Sequence, residues 1–201
     1  VIYIFLMESS NQKFVAKCRE FKEKNFLKWG RFFYDLGISA NTMTTISLIL
    51  GILTVYFLFS NHLLFVVFAI LHLIADGLDG LIAKASQPTK FGQYYDLITD
   101  RTIAIITLIK LGWYLQDYYV YIILGLLIIT QLVYFSSKFE YPVVFVRTGL
   151  LIPFMFYPIG ILFHPIGNTF ILTATYLIVG GFIVYSLALQ LQHFVKEIRK
   201  A

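Results

Sequence analysis

Residues 76–101 read DGLDGLIAKASQPTKFGQYYDLITDR and place four carboxylates between two long apolar runs of the chain. The whole protein contains only 11 Asp and Glu residues and is 59% hydrophobic, so this concentration of acids needs a physical explanation. Asp76 and Asp79 are three residues apart, and Asp96 and Asp100 are four apart. In helices, each pair would lie on one face. Because a short turn joins the two runs, we expect antiparallel neighbouring helices on which the four carboxylates converge.

Carboxylates that converge in an apolar protein cannot all remain ionised unless cations join them. Hard divalent cations prefer carboxylate oxygens, and two such ions a few ångströms apart form a clamp that suits phosphoryl chemistry. The pattern therefore predicts a site for Mg²⁺ or Mn²⁺, with two ions as the expected number. The same acids would also suit a proton or cation pathway through a membrane, and this alternative stays open.

Two glycines flank the turn between the carboxylate pairs. Gly80 follows the first pair and Gly92 precedes the second. A residue without a side chain lets a bulky substrate approach the backbone closely, and a phosphate group is the natural candidate beside divalent cations. Glycines also let helices pack closely, which is the alternative interpretation of both positions.

These residues resemble the signature of the CDP-alcohol phosphotransferase family, which reads D-x-x-D-G-x-x-A-R and then, after a spacer, G-x-x-x-D-x-x-x-D. Seven of its eight fixed positions agree, at Asp76, Asp79, Gly80, Ala83, Gly92, Asp96 and Asp100. Lys84 stands where the family usually has arginine, and the spacer after it holds seven residues where eight is common. Lysine keeps the charge but lacks the bidentate fork that arginine offers a phosphate.

The resemblance implies a role for each residue of this motif. Four carboxylates would hold the metal ions, namely Asp76, Asp79, Asp96 and Asp100. Asp100 would also act as the general base. Four further residues would line the site of the nucleotide diphosphate, namely Gly80, Ala83, Lys84 and Gly92. Among the family's membrane phospholipid synthases, the resemblance extends to members that use a phosphorylated acceptor, such as phosphatidylinositol-phosphate or phosphatidylglycerol-phosphate synthases.

The composition of the chain indicates a lipid bilayer as its surroundings. The protein has 201 residues, of which 18% are aromatic, and its mean hydropathy is +0.78. A soluble domain is not this apolar, and the length suits a single membrane-embedded catalytic domain over 1–201. The net charge of +5 is better explained by anionic lipid headgroups than by nucleic acid, so no nucleic-acid partner is expected.

Six runs are long enough to cross about 30 Å of hydrocarbon as helices. They are Asn41–Phe59, His62–Ala85, Lys90–Leu115, Tyr118–Phe139, Pro142–Phe163 and Asn168–Val195. The runs predict an all-α, polytopic membrane fold with a six-helix body over 41–195 and a basic tail over 196–201.

The arm that precedes this body, 1–40, has a different pattern. Within it, the stretch Asn11–Tyr34 interleaves aromatic residues with Lys and Arg, which is typical of an amphipathic helix at the membrane interface. Ser39 or Asn41 is expected to cap the first spanning helix, because both side chains can accept hydrogen bonds from its first backbone N–H groups.

Basic residues collect at one set of connections between the runs. Lys84 and Lys90 lie between the second and third runs, and Lys138 and Arg147 lie around the turn between the fourth and fifth. The arm before the first run and the tail after the last run are also basic. The other three connections contain no Lys or Arg. The positive-inside rule predicts an integral protein of the cell membrane whose termini lie in the cytoplasm. The turn between the two Asp pairs is predicted on the same side.

Two of these basic residues are candidates for contact with a second substrate. Lys138 and Arg147 lie at run ends on the same side as the four carboxylates, where they could form an anion pocket. Their position resembles that of the basic residues that hold the acceptor's phosphate in some family members. The alternative is that both side chains reach lipid headgroups. His72, one turn before Asp76, is expected to be a packed, hydrogen-bonded residue rather than a catalytic one.

The residues and the resemblance together predict a metal-dependent phosphotransferase of phospholipid biosynthesis. It would transfer a phosphatidyl-type group from a CDP-linked lipid to the hydroxyl of an acceptor alcohol, with a sugar or polyol phosphate as the expected acceptor, and release CMP. A second copy of the chain is a candidate partner. Two alternatives stay open, an ion- or proton-coupled transporter that uses the Asp cluster and a structural membrane protein whose acids bind a stabilising cation.

Overall fold

The computed structural model describes residues 27–136, 146–158 and 167–198, and these residues are helices joined by turns. A short helix, α1, covers 27–35, and six more follow: α2 Ala40–Phe57, α3 His62–Ser86, α4 Lys90–Leu115, α5 Tyr118–Ser136, α6 Val146–Phe154 and α7 Gly167–Ile198. No strand occurs in the described ranges, which confirms the all-α prediction. The predicted bounds of the first three spanning runs agree with α2, α3 and α4 to within two residues.

Short polar side chains set the starts of four helices. Each accepts a hydrogen bond from a backbone N–H in the first turn of the helix that follows, at 3.0–3.1 Å, and the capping residues are Ser39, Asn61, Thr89 and Asp117. Such caps satisfy donors that have no partner inside the helix. Of the two candidates for the cap of α2, the structure uses Ser39.

A tight turn of three residues connects α3 to α4. Gln87 has a left-handed backbone with a φ of 72°, which ends α3 at Ser86. Pro88 cannot continue the helix, and Thr89 then caps α4. This turn lies between the two halves of the Asp-rich stretch, as the sequence predicted.

Four of the helices are long and apolar enough to cross a membrane, namely α2, α3, α5 and α7. Helix α4 is 26 residues long but is not among them, because too many of its residues are charged. Helix α6 is described only over nine residues. The count of six spanning helices therefore stays a prediction.

The chain divides into two compact units. The first contains the described residues up to Ser47 together with Leu71–Leu97, and the second contains Leu48–Ile70 together with the described residues from Ile98 onward. All three boundaries between the units fall inside helices, so that α2, α3 and α4 each contribute to both units. The predicted single catalytic domain stays a prediction.

The second unit contains a large hydrophobic core. Helix α7 packs against α5 and α6, and the fully buried side chains include Leu127 of α5, Phe154 of α6 and Tyr176 of α7. Burial of large apolar side chains of this kind holds the unit together through close packing.

Lys110, near the end of α4 in the second unit, makes a specific contact with α2. Its ammonium group donates hydrogen bonds to the backbone oxygens of Val55 at 2.7 Å and Tyr56 at 2.6 Å. These carbonyls belong to the last turn of α2, where backbone acceptors have no partner within the helix. A cation in this position also suits the negative end of the helix dipole.

In the first unit, α1 packs closely against α3. A Cβ atom at Gly30 would lie only 2.5 Å from the backbone oxygen of Leu81, so the contact requires glycine. The neighbouring side chains of Trp29 and Phe32 are exposed, as are Lys28 and Arg31. Most of the stretch predicted as an interfacial helix, Asn11–Tyr34, lies outside the described residues, so that helix stays a prediction.

We predict that Gly30→Ala destabilises the protein. Its new methyl group would overlap the main chain of α3, which cannot yield as a flexible side chain can, and overpacking of this kind costs about 1–3 kcal/mol. Thermal unfolding in detergent and limited proteolysis of the N-terminal arm measure the effect. Gly125→Ala in α5 is the matched control, because no atom lies within 4 Å of its Cβ position. Equal melting temperatures and proteolysis rates for the two variants would contradict the prediction.

Candidate active site and metal centre

The hairpin of α3 and α4 brings the carboxylates of the Asp-rich stretch together. Asp76 on α3 and Asp96 on α4, both in the first unit, offer carboxylate oxygens within 4.8 Å of each other. Asp100 lies one helical turn beyond Asp96 on the continuous helix α4 and belongs to the second unit. All three side chains are partly exposed.

Asp79, the fourth predicted ligand, is placed differently from the other three. It is not part of the group that offers oxygens at metal-binding distance, and its side chain is only 4% exposed. It remains within electrostatic reach of Asp96 and Asp76. The hydroxyl of Thr44 on α2 donates a hydrogen bond to Asp79 Oδ2 at 2.9 Å.

The chemistry of this donor set fits a divalent metal ion. Carboxylate oxygens are hard ligands, which Mg²⁺ and Mn²⁺ prefer over the nitrogen and sulfur ligands typical of zinc sites. Acids that crowd together in a partly buried position also repel one another unless a cation is shared between them. The carboxylates present therefore fit a metal of the kind that the sequence predicted.

A pocket of about 410 Å³ in the first unit lies beside these acids. Its lining contains Asp79 and Asp96 and all four residues predicted to contact a nucleotide diphosphate, namely Gly80, Ala83, Lys84 and Gly92. The start of α2 and the turn between α3 and α4 supply the rest, chiefly Ser39, Asn41, Thr44, Gln87, Pro88, Thr89 and Gln93. Residues that are distant in the sequence thus form one concave surface, which carries both polar and apolar groups.

Gly92 shows why a glycine is needed in this wall. A Cβ atom there would lie 3.0 Å from Asn41 Oδ1 and 3.1 Å from Thr89 Oγ1. Its own N–H donates to the capping hydroxyl of Thr89 at 3.0 Å. A larger residue would displace these polar groups by a few tenths of an ångström or narrow the pocket. Close approach of a substrate to this part of the backbone stays a prediction.

Comparison with known proteins identifies the family. The model of the family described as CDP-alcohol phosphatidyltransferase matches residues 38–192, which include the Asp-rich hairpin, the pocket and most of the helical body. The chain belongs to the CDP-alcohol phosphatidyltransferase family. No curated protein and no solved structure matches the chain.

Membership in the CDP-alcohol phosphatidyltransferase family confirms the resemblance seen in the sequence. It makes the protein a transferase of phospholipid biosynthesis that moves a phosphatidyl group from a CDP-alcohol to an acceptor. Together with the four long apolar helices, it makes the chain an integral membrane protein. The transporter alternative receives no support from the family.

Arg147, a predicted acceptor ligand, forms an ion pair with Asp100 within the second unit. Its side chain is 7% exposed, and that of Asp100 is 32% exposed. A guanidinium so deeply buried is held in place by its carboxylate partner. The other predicted acceptor ligand, Lys138, lies outside the described residues.

His72 has the packed environment that the sequence predicted. It is fully buried in the first unit, and its Nδ1 lies 2.8 Å from the backbone oxygen of Ser47 and 2.9 Å from the Ser47 hydroxyl. Because a carbonyl oxygen can only accept, Nδ1 carries the proton in the first of these contacts. The residue connects α2 to α3 rather than facing the pocket, whose lining does not include it.

Sequence reasoning missed the polar side chains that α2 contributes to the site. Asn41 and Thr44 line the pocket, and Thr44 contacts a predicted metal ligand. The available signal was their spacing of three residues near the start of an apolar run, which places both on one face of a helix.

We predict that Lys84→Ala raises the KM for the CDP-linked donor about fivefold, the effect of losing about 1 kcal/mol of attraction from an exposed cation at the pocket wall. Lys84→Arg should keep or improve the KM, since arginine is the residue that the family usually has there. Steady-state kinetics with varied donor measures both. Lys90→Ala is the control, because Lys90 is exposed but does not line the pocket. A normal KM in Lys84→Ala would show that this side chain does not contact the donor.

Proposed function

We propose that this protein transfers a phosphatidyl group from a CDP-linked lipid to the hydroxyl of an acceptor alcohol and releases CMP, acting as one membrane-embedded catalytic domain. The observation that carries the proposal is the joint placement of clustered carboxylates and a glycine-walled pocket at the α3–α4 hairpin. Metal-binding acids next to a cavity of this size suit a substrate with a diphosphate group.

The pocket provides the groups that a CDP diphosphate requires. Gly80 and Gly92 leave room for phosphate oxygens close to the main chain, and Ala83 adds only a methyl group. Lys84 supplies a positive charge at the same wall. Asn41, Gln87 and Gln93 add amide groups that can donate and accept hydrogen bonds, as the polar edge of a nucleotide base demands.

The carboxylates divide into ligands and a base. We assign metal binding to Asp76, Asp79 and Asp96, and we assign Asp100 as a further ligand of the metal centre. When bound, two Mg²⁺ or Mn²⁺ ions would supply charge neutralisation at the diphosphate and at the CMP leaving group. Asp100 takes the proton of the acceptor hydroxyl as that oxygen attacks the phosphatidyl phosphorus and the bond to CMP breaks.

Arg147 holds Asp100 through their ion pair, so the base has a defined orientation. The contact also places a cation beside the carboxylate that would meet the acceptor hydroxyl. Arg147 thus lies where an acceptor phosphate could meet a cation. We propose a sugar or polyol phosphate as the acceptor, with Lys138 and Arg147 near its phosphate.

The charge pattern supports a cytoplasmic active site. The hairpin turn that carries the pocket is flanked by Lys84 and Lys90, and the exposed face of α1 carries Lys28 and Arg31. Basic residues of short connections remain on the cytoplasmic side during membrane insertion. A site on that side would meet both a soluble acceptor and a lipid-linked donor.

We predict that catalysis and stability both depend on a divalent metal. Exhaustive chelation should abolish CMP release from a CDP-linked lipid and lower the melting temperature, because the clustered acids lose the cation that offsets their repulsion. Mg²⁺ or Mn²⁺ should restore both, and CDP or CMP should raise the melting temperature only when the metal is present. Full CMP release without metal would contradict the two-metal site. A protein that binds metal but never releases CMP would favour a transporter or a structural protein.

We predict that Arg147→Ala lowers kcat and raises the KM for a phosphorylated acceptor, while the KM for the CDP-linked donor stays nearly unchanged. Asp100 would lose its ion-pair partner, and the acceptor phosphate would lose a nearby cation. The loss of a buried charged contact costs up to about 3 kcal/mol. The measurement is CMP release with inositol phosphate, glycerol phosphate, serine and free inositol as acceptors. If free inositol or serine is far better than any phosphorylated alcohol, the acceptor is not a phosphate ester.

A further inference from the structure

The hydrogen bond between Thr44 and Asp79 is a direct contact from α2 to the Asp-rich hairpin. Both side chains are buried in the first unit, with exposures of 3% and 4%. The hydroxyl of Thr44 lies 2.9 Å from Asp79 Oδ2 and 3.0 Å from the backbone oxygen of Ala40, one turn earlier in α2. It has a single proton for these two acceptors. The carboxylate is the stronger acceptor because a hydrogen bond to an ionised group is charge-assisted.

This contact restricts where the carboxylate of Asp79 can point. An Asp side chain has only two rotatable bonds, and a hydrogen bond on one oxygen fixes the plane of the carboxylate. Side chains that donate to metal-binding carboxylates commonly orient them and tune their affinity for the ion. Asp79 lies near Asp76 and Asp96, but its carboxylate oxygens are not within the 4.8 Å that groups the other acids. The orientation of its carboxylate therefore decides whether it can bind the same ion.

A second contact between α2 and α3 keeps Thr44 opposite Asp79. Ser47, one turn further along α2, meets the ring of His72, which lies two turns before Asp79 on α3. Both partners are fully buried. Hydrogen bonds thus join α2 and α3 at two points along their length. The two helices cannot slide or rotate past each other without leaving buried polar groups unsatisfied.

We propose that Thr44 is a positioning residue for the metal centre, which holds one carboxylate oxygen of Asp79 so that the carboxylate is presented to a divalent ion shared with Asp76 and Asp96. The inference rests on the proposed function, since it presumes that these acids bind metal. It assigns to α2, which lies outside the Asp-rich motif, a direct influence on metal affinity.

The same helix provides a matched control for this role. Thr54 is fully buried in α2, and its hydroxyl donates to the backbone oxygen of Leu50 at 2.8 Å, the same backbone contact that Thr44 has with Ala40. Among the described residues, Thr54 has no hydrogen bond to a carboxylate. Thr44→Val and Thr54→Val therefore each remove a buried threonine hydroxyl from α2, but only Thr44→Val removes a contact with Asp79.

The test measures Mn²⁺ binding to the purified full chain by electron paramagnetic resonance, without substrate. Thr44→Val should weaken Mn²⁺ binding about 10- to 100-fold, the range typical of lost partners of metal ligands. Thr44→Ser keeps the hydroxyl and should bind nearly as well as the wild type. Thr54→Val should also bind normally. Melting temperatures without metal establish that the variants are folded, and Thr44→Ala replaces Thr44→Val if the latter does not fold.

The outcomes separate this inference from the proposed function. If the wild type binds Mn²⁺, Asp96→Asn abolishes binding and Thr44→Val leaves it unchanged, the positioning role is wrong while the metal centre stands. Equal losses in Thr44→Val and Thr54→Val would also overturn it, because the effect would then be general to α2. If the wild type binds no Mn²⁺, or Asp96→Asn has no effect, the metal centre itself is wrong.

Discussion

Repulsion among carboxylates that are partly withdrawn from water is the constraint on which this structure depends. Asp76, Asp79 and Asp96 crowd into the hairpin of α3 and α4, and their ionised forms are costly in an apolar protein unless other groups compensate. Part of the compensation comes from protein groups, such as the Thr44 hydroxyl at Asp79. A divalent cation would supply the rest. Because the clustered carboxylates are destabilising without a bound cation, we infer that the protein uses the cation in its chemistry.

In the α3–α4 hairpin and the start of α2, neighbouring surfaces have different roles. Acids lie on the inner faces of the hairpin, small residues such as Gly80 and Gly92 line the wall of the pocket, and polar caps such as Thr89 shape its edge. The caps that start the helices therefore also contribute to the substrate pocket. The same few residues thus start the helices and line the pocket.

Much of this arrangement could be predicted from the sequence because it depends on local rules. Helix periodicity and the short turn predicted that Asp76 and Asp96 come together, and Ser39 was one of the two predicted candidates for the cap of α2. Contacts between distant helices could not be predicted. Which face of α2 meets Asp79, and that Arg147 reaches Asp100, depend on the rotation of packed helices, which composition and spacing leave undetermined.

The charges of α4 have a consequence for how the protein is made. The sequence predicts α4 as a spanning helix. Charged residues near the middle of such a helix each cost about 2.5–3.5 kcal/mol during insertion into the bilayer, so α4 alone would be poorly retained there. Two of its charges find partners in the second unit, Lys110 on the backbone of α2 and Asp100 on Arg147 of α6. Since α6 is synthesised after α4, full anchoring of α4 must await a later part of the chain. Biogenesis of this enzyme is therefore expected to proceed by cooperative entry of several helices rather than one at a time.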